Sequence, residues 1–213
     1  MTKRGCLLAA SAVGLLLLAV LSAPGIPARA ATPTFYTDRT TFEAAVGTTV
    51  TDDYATPPYP AGFNIYSDAV FSAFLGETDY HTTGWTDHNM RDSGGYYCAG
   101  PNGSFLLSFG TTSVTRGGSG VYGVGVDIVT NSLPQYPPPY YAFITYGDGT
   151  TDNILLPVGE SFFGVTAPEL IMSIHFGLSE GGPTQEGYFV IDNLTIGRQF
   201  TSYIPLCLNR AGG

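Results

Sequence analysis

The densest gathering of side chains able to do chemistry lies in residues 76–103, where Glu77, Asp79, Tyr80, His81, Trp85, Asp87, His88, Tyr96 and Tyr97 share one polar and aromatic segment. Tyr80, Trp85, Tyr96 and Tyr97 are the side-chain types that stack on the apolar C–H face of a sugar ring. Asp87 and Asp79 are suited to accept from its hydroxyls. The competing reading is that these aromatics pack on one another to order the segment. His81 and His88 beside Asp79 or Asp87 are transition-metal ligand types, but with no cysteine or clear third ligand they read as polar surface. His175 alternates with core residues and reads as a hydrogen-bonded strand histidine.

Signatures of catalysis are sparse. Gly118-Ser-Gly-Val-Tyr-Gly123 fits G-x-G-x-x-G, yet it leads into a strand, where a dinucleotide site needs a strand before and a helix after. It reads as a turn. There is no H-E-x-x-H and no phosphate loop with its lysine. Carboxylates are plentiful, 17 in all, and a pair at glycosidase separation is a spatial property that leaves hydrolysis open.

These side chains belong to an acidic chain with an export address. Lys3 and Arg4 precede an apolar run over Leu7–Leu21, and Ala28-Arg29-Ala30 has the small-x-small pattern of a signal-peptidase site. The expectation is a signal peptide over residues 1–30 and a secreted or cell-surface mature chain starting at Ala31. That chain keeps five arginines, no lysine and every acid, so nucleic acid and anionic membranes are poor partners. Cys98 and Cys207 survive processing, and an oxidising compartment makes a bridge between them an expectation beside two unpaired thiols.

The elements that would position the candidates are mostly strands. Apolar residues come in short runs divided by Gly, Pro, Ser and Thr, the all-β pattern. Strands are expected near 48–54, 62–66, 69–74, 104–109, 121–130, 140–146, 152–156, 161–166, 170–177 and 187–196. One short helix is expected at Thr40–Val46, closed by Gly47. In 122–129, Tyr122, Val124, Val126 and Ile128 share a face. Gly147-Asp148-Gly149 marks a hairpin. Residues 76–103 and 131–139 read as long loops, the second stiffened by its prolines.

The succession Gly123-Val-Gly-Val-Asp127, Phe143-Ile-Thr-Tyr-Gly-Asp-Gly-Thr150, Phe162-Phe-Gly-Val-Thr-Ala-Pro168, Ile171-Met-Ser-Ile-His-Phe176 and Tyr188-Phe-Val-Ile-Asp-Asn-Leu-Thr-Ile-Gly197 resembles the jelly-roll ectodomains of bacterial PEP-CTERM exported proteins. Phe35–Gly47 is similar to their opening helix. The resemblance implies a two-sheet antiparallel jelly-roll sandwich over residues 31–197, followed by a tail over 198–213. That tail lacks the Pro-Glu-Pro signal, apolar helix and basic end of the family, so free secretion is expected in place of anchoring. Such sandwiches are similar to carbohydrate-binding modules in which a structural calcium ion joins the first strand to the last. Asp52, Asp53 and Asp192 are the residues placed to hold it, against a reading in which they bond locally or face solvent. The expected function is non-catalytic binding in the extracellular matrix or at a surface, with glycan as ligand. A polysaccharide hydrolase with paired carboxylates and a purely structural surface protein are the alternatives.

Overall fold

The computed structural model describes residues 32–55, 57–100, 103–115, 118–130, 139–178 and 188–200. The expected signal peptide, residues 131–138 of the loop expected over 131–139, and the tail beyond Phe200 lie outside the described residues.

The strands are β1 (Thr34–Tyr36), β2 (Thr49–Asp52), β3 (Asn64–Tyr66), β4 (Asp79–Thr82), β5 (Asn89–Arg91), β6 (Tyr97–Ala99), β7 (Phe105–Ser108), β8 (Val121–Thr130), β9 (Tyr140–Tyr146), β10 (Thr151–Leu155), β11 (Ser161–Leu178) and β12 (Val190–Gly197). All described pairings are antiparallel, and the main path runs β10-β9-β11-β8-β12-β6-β5-β3. Two expected strands, 161–166 and 170–177, are one long strand. The first half of β11 pairs β8 and β1, and the second half pairs β9 and β7. Leu170, at φ 64°, and a register shift between Ile171 and Ser173 mark where it bends. A single strand thereby carries the ladder from one layer into the next, and the fold is β-rich and sandwich-like.

Alternation along the strands builds the core. Val124, Val126 and Ile128 of β8 meet Ile174 and Phe176 of β11 and Leu107 of β7 in one buried cluster. Each such side chain contributes roughly 1.5–3 kcal/mol by leaving water. Tyr122 departs from the expected pattern by packing with Phe42 and Phe162 in a smaller cluster. The expected hairpin joins β9 to β10, with Gly149 at φ 84° and the Asp148 carboxylate accepting the Thr150 N–H at 2.9 Å.

Among the described residues two α-helices stand where one was expected. Helix α1 (Arg39–Ala45) starts where the Asp38 carboxylate accepts the Thr41 N–H at 2.8 Å. Gly47 follows it without a left-handed turn; its N–H reaches the Arg198 carbonyl at 2.8 Å. Helix α2 (Asp68–Leu75) replaces the strand expected at 69–74. Ser67 caps its start, Gly76 at φ 72° closes it, and Phe71 and Phe74 fall on one face at helical spacing. The 76–103 segment is likewise no loop, because β4, β5 and β6 lie within it.

Glycines seat α1. Gly125 of β8 opposes Gly164 of β11, and Gly123 opposes Gly197 of β12. A Cβ on Gly125 would stand 2.7 Å from Phe42 Cε1, and one on Gly197 would stand 2.9 Å from Val46 Cβ. The helix therefore approaches the sheet backbone more closely than side chains would permit.

Candidate functional site

Closely seated, α1 delivers Arg39 to the sheet. The Arg39 guanidinium lies 4.9 Å from the Phe162 ring centroid. Its Nε donates to Asp127 Oδ1 at 3.0 Å, and Nη2 lies 3.0 Å from Asp127 Oδ2. Nη1 donates to Thr195 Oγ1 and Nη2 also to the Asn193 carbonyl, each at 2.9 Å. This bidentate geometry fixes the orientation of the Asp127 carboxylate.

Asp127 on β8 opposes Asp192 on β12, and the ladder slips between Asp192 and Thr195 in a bulge. Within it Asn193 takes φ 48°, a left-handed conformation asparagine tolerates better than most residues. The bulge aims Asn193 Nδ2 at two acceptors, Asp127 Oδ2 at 2.9 Å and Asp192 Oδ2 at 3.1 Å. Two carboxylates are thus held within two hydrogen-bond lengths of each other. Burial is the largest cause raising the Asp192 pKa above its ordinary value, reinforced by the charges of Asp127 and Asp53; the Asn193 N–H and Arg39 pull it back down.

These carboxylates line an open concavity of about 310 Å³ with Tyr96, Glu160 and Ser161. Among its described lining residues there is no base. The cleft is acceptor-rich, with one aromatic wall.

The expected site residues are dispersed. Tyr96 and Asp192 meet in this cleft, joined by Asp127, Glu160, Asn193 and Arg39, which sequence reasoning missed. Asp127 had one signal, a charge closing the apolar run Gly123-Val-Gly-Val. Tyr80 and Tyr97 are corrected most sharply. They are 3% and 0% exposed in the core, where their hydroxyls donate to Asp52 Oδ2 at 2.9 Å and Asn89 Oδ1 at 2.8 Å. Neither can present a ring to a surface ligand. Trp85 is 39% exposed but shares no face with them, its ring lying beside His88. Asp87 caps α2 by accepting the Asp68 N–H at 2.9 Å.

The three aspartates expected to hold calcium do not converge. Strand β2 does pair β12, as a calcium bridge requires. Asp52, however, turns inward, where Tyr59 and Tyr80 donate to Oδ2 at 2.6 and 2.9 Å and the Tyr54 N–H donates to Oδ1 at 3.1 Å. Asp53 accepts the Ala55 N–H at 3.0 Å. Asp52 is thereby withdrawn from the set, and among the described residues no cluster of three or more His, Cys, Asp or Glu is arranged to hold a metal. His81 bonds Asp68 at 2.6 Å and His88 the Thr86 carbonyl at 2.7 Å. Cys98 is a buried thiol, and its expected partner Cys207 lies outside the described residues.

Comparison with protein-family models, with curated proteins and with solved structures finds no match to this chain. What fold and site together define is a β-rich, sandwich-like protein with an acidic, tyrosine-walled cleft. Among the described residues no helix is long and apolar enough to cross a membrane.

Proposed function

We propose that this chain is the jelly-roll domain of a secreted protein, resembling the PEP-CTERM ectodomains, and that it binds neutral glycan in the cleft between β8 and β12. The observation that carries the reading is the paired Asp127 and Asp192 carboxylates, cross-linked by Asn193 beside the Tyr96 ring. Fixed carboxylate oxygens accept sugar hydroxyls, and a tyrosine face covers sugar C–H groups. An acidic cleft repels uronic and sulfated polymers. Binding of neutral oligosaccharides to residues 31–213 is measured by array and calorimetry. Asp192→Asn and Tyr96→Ala are each expected to weaken binding about tenfold, which is about 1.4 kcal/mol. Unchanged affinity in both variants rejects the cleft.

A hydrolase is the second reading, favoured by the asymmetry of the pair. Asp127 is clamped by the Arg39 guanidinium, whereas burial raises the pKa of Asp192, and a glycosidase sets two carboxyl groups in unlike environments. Release of reducing ends from a neutral polysaccharide, abolished by Asp192→Asn, distinguishes it from binding alone.

A further inference from the structure

Four elements meet at a second concavity, of about 260 Å³: the start of β8, the bend of β11, the residues just after β12 and a short 3₁₀ helix over Ser113–Thr115. Its lining residues are Val114, Thr115, Tyr122, Leu170, Arg198 and Gln199. Val114 is buried, Tyr122 and Leu170 are half-buried, and these three supply apolar walls. No acidic residue is among them, and none of them lines the Asp127–Asp192 cleft.

Arg198 is the charged residue of this lining. Its backbone is pinned, because its N–H donates to the Thr48 carbonyl at 3.1 Å and its carbonyl accepts the Gly47 N–H at 2.8 Å. The guanidinium, by contrast, is uncommitted. Arg39 spends its nitrogens on Asp127, Thr195 and Asn193, and Arg91 donates to the carbonyls of Tyr54, Pro60 and Gly62. Among the described residues the half-buried Arg198 side chain has no carboxylate or carbonyl within bonding distance. In a chain of 17 acids and eight bases, a guanidinium held beside apolar walls without an acid is set for an acceptor from outside. Leu170 adds a second peculiarity. It takes φ 64°, an outlier for a bulky residue, and the Gly147 N–H secures it by donating to its carbonyl at 3.0 Å. Glycine would adopt that angle without strain, so what leucine adds there is the side chain that walls the concavity.

We propose that this concavity binds a small organic monocarboxylate, its carboxylate held by the Arg198 guanidinium and its apolar body lying against Val114, Tyr122 and Leu170. The volume falls short of the roughly 300–1,000 Å³ of pockets for drug-sized ligands, which limits the body to a short acyl chain or a single ring. An inorganic anion would satisfy Arg198 but leave the apolar walls in water, and a neutral apolar molecule would cover the guanidinium without giving it an acceptor. Only a molecule with both parts meets both demands. The Thr115 hydroxyl is already spent on the Gly118 carbonyl at 2.8 Å, which leaves the carboxylate to Arg198. The site uses none of the cleft residues and stands whether or not the cleft binds glycan.

The test is titration of residues 31–213 with hexanoate and with benzoate, followed by calorimetry and amide chemical shifts, with hexanol, acetate and inorganic phosphate as controls. The variants are Arg198→Gln, which keeps both backbone anchors, Leu170→Gly, which suits φ 64°, and Asp192→Asn in the cleft. Circular dichroism and the thermal midpoint check that each is folded. The expected result is saturable binding of hexanoate or benzoate that weakens at least tenfold in Arg198→Gln, weakens by a smaller factor in Leu170→Gly and is unchanged in Asp192→Asn. Hexanol bound as tightly as hexanoate overturns the role of the charge, and acetate or phosphate bound as tightly overturns the role of the apolar walls; either result sinks the proposal. Equal affinity in wild type and Arg198→Gln does the same, as does absence of saturable binding of both carboxylates. Loss of binding in Asp192→Asn would move the carboxylate to the cleft and away from Arg198.

Discussion

The Phe42 ring rests on Gly125, and a methyl group at that glycine would stand 2.7 Å from Phe42 Cε1, closer than real contacts permit. Phe42 is fully buried, so neither helix nor ring can retreat without opening the interface. Gly125→Ala is expected to destabilise by about 1–3 kcal/mol in urea unfolding. Combined with Phe42→Ala, it should cost less than the two changes summed, since the smaller side chain vacates the space the methyl needs. Strict additivity would show that the two residues do not meet.

The buried Asp52 carboxylate makes stability depend on pH. Burial raises its pKa above the ordinary 3.8, opposed by the Tyr59 and Tyr80 hydroxyls and the Tyr54 N–H. A folded-state value above the unfolded one means that the folded form holds the proton longer. The contribution of Asp52 is therefore complete below the ordinary carboxylate value and is lost as pH rises through the raised one. Asp52→Asn cannot ionise, and the stability difference from wild type should change in that acidic window and flatten above it. A difference independent of pH counts against a raised pKa.

Tyr59 acts on the same group. Its hydroxyl donates to Asp52 Oδ2 at 2.6 Å, favouring the ionised form. Tyr59→Phe should push the Asp52 pKa higher still and cost about 1.5–3 kcal/mol near neutral pH, the range for a bond to a charged partner. Smaller loss at acidic pH, measured by denaturant titration, is part of the expectation.

Arg39→Lys is not conservative here. Lysine offers one ammonium in place of the fork that spans Asp127, Thr195 and Asn193. A loss of about 1–3 kcal/mol is expected, along with weaker glycan binding, because Asp127 and the Asn193 bulge lose their anchor. Stability changed without any change in affinity would separate the clamp from the cleft.

Cys98 is inert while the fold holds. Burial, with a further contribution from Asp92, pushes its thiol up to about 12, so almost no thiolate exists at neutral pH. In residues 31–213 carrying Cys207→Ser, which leaves Cys98 as the one cysteine, a maleimide should label Cys98 slowly in buffer and rapidly in denaturant. Rapid labelling under native conditions would place the thiol at an accessible surface.

Elements whose partners do not matter to their pattern were readable in advance. The alternation in Val124, Val126 and Ile128, the Gly-Asp-Gly turn between β9 and β10, and the Asp38-capped α1 all announce themselves locally. Helix α2 had signals too, Ser67 before it, Gly76 after it and Phe71–Phe74 at helical spacing, but its short apolar run fits a strand equally well. Strands β4, β5 and β6 were hidden because three or four residues acquire strand character only from a neighbour: β4 from Phe105–Ser108 of β7, β6 from Val190–Ile191 of β12. The aromatic residues misled for a related reason. Tyr80 and Tyr97 are amphipathic, and a sequence does not say whether a tyrosine's hydroxyl meets solvent or, as here, a buried Asp52 or Asn89.

By its own residues the chain determined a strand-rich fold, an acidic balance with 17 Asp and Glu against eight Lys and Arg, and the turns that divide one strand from the next, because these depend on composition and on contacts a few positions apart. Tertiary structure alone decided that Asp127 and Asp192 stand side by side, that Asp52 faces the core, and that Phe143 stands opposite His175. Those relations join residues dozens of positions apart through strand register, and register is set by which faces can be buried together.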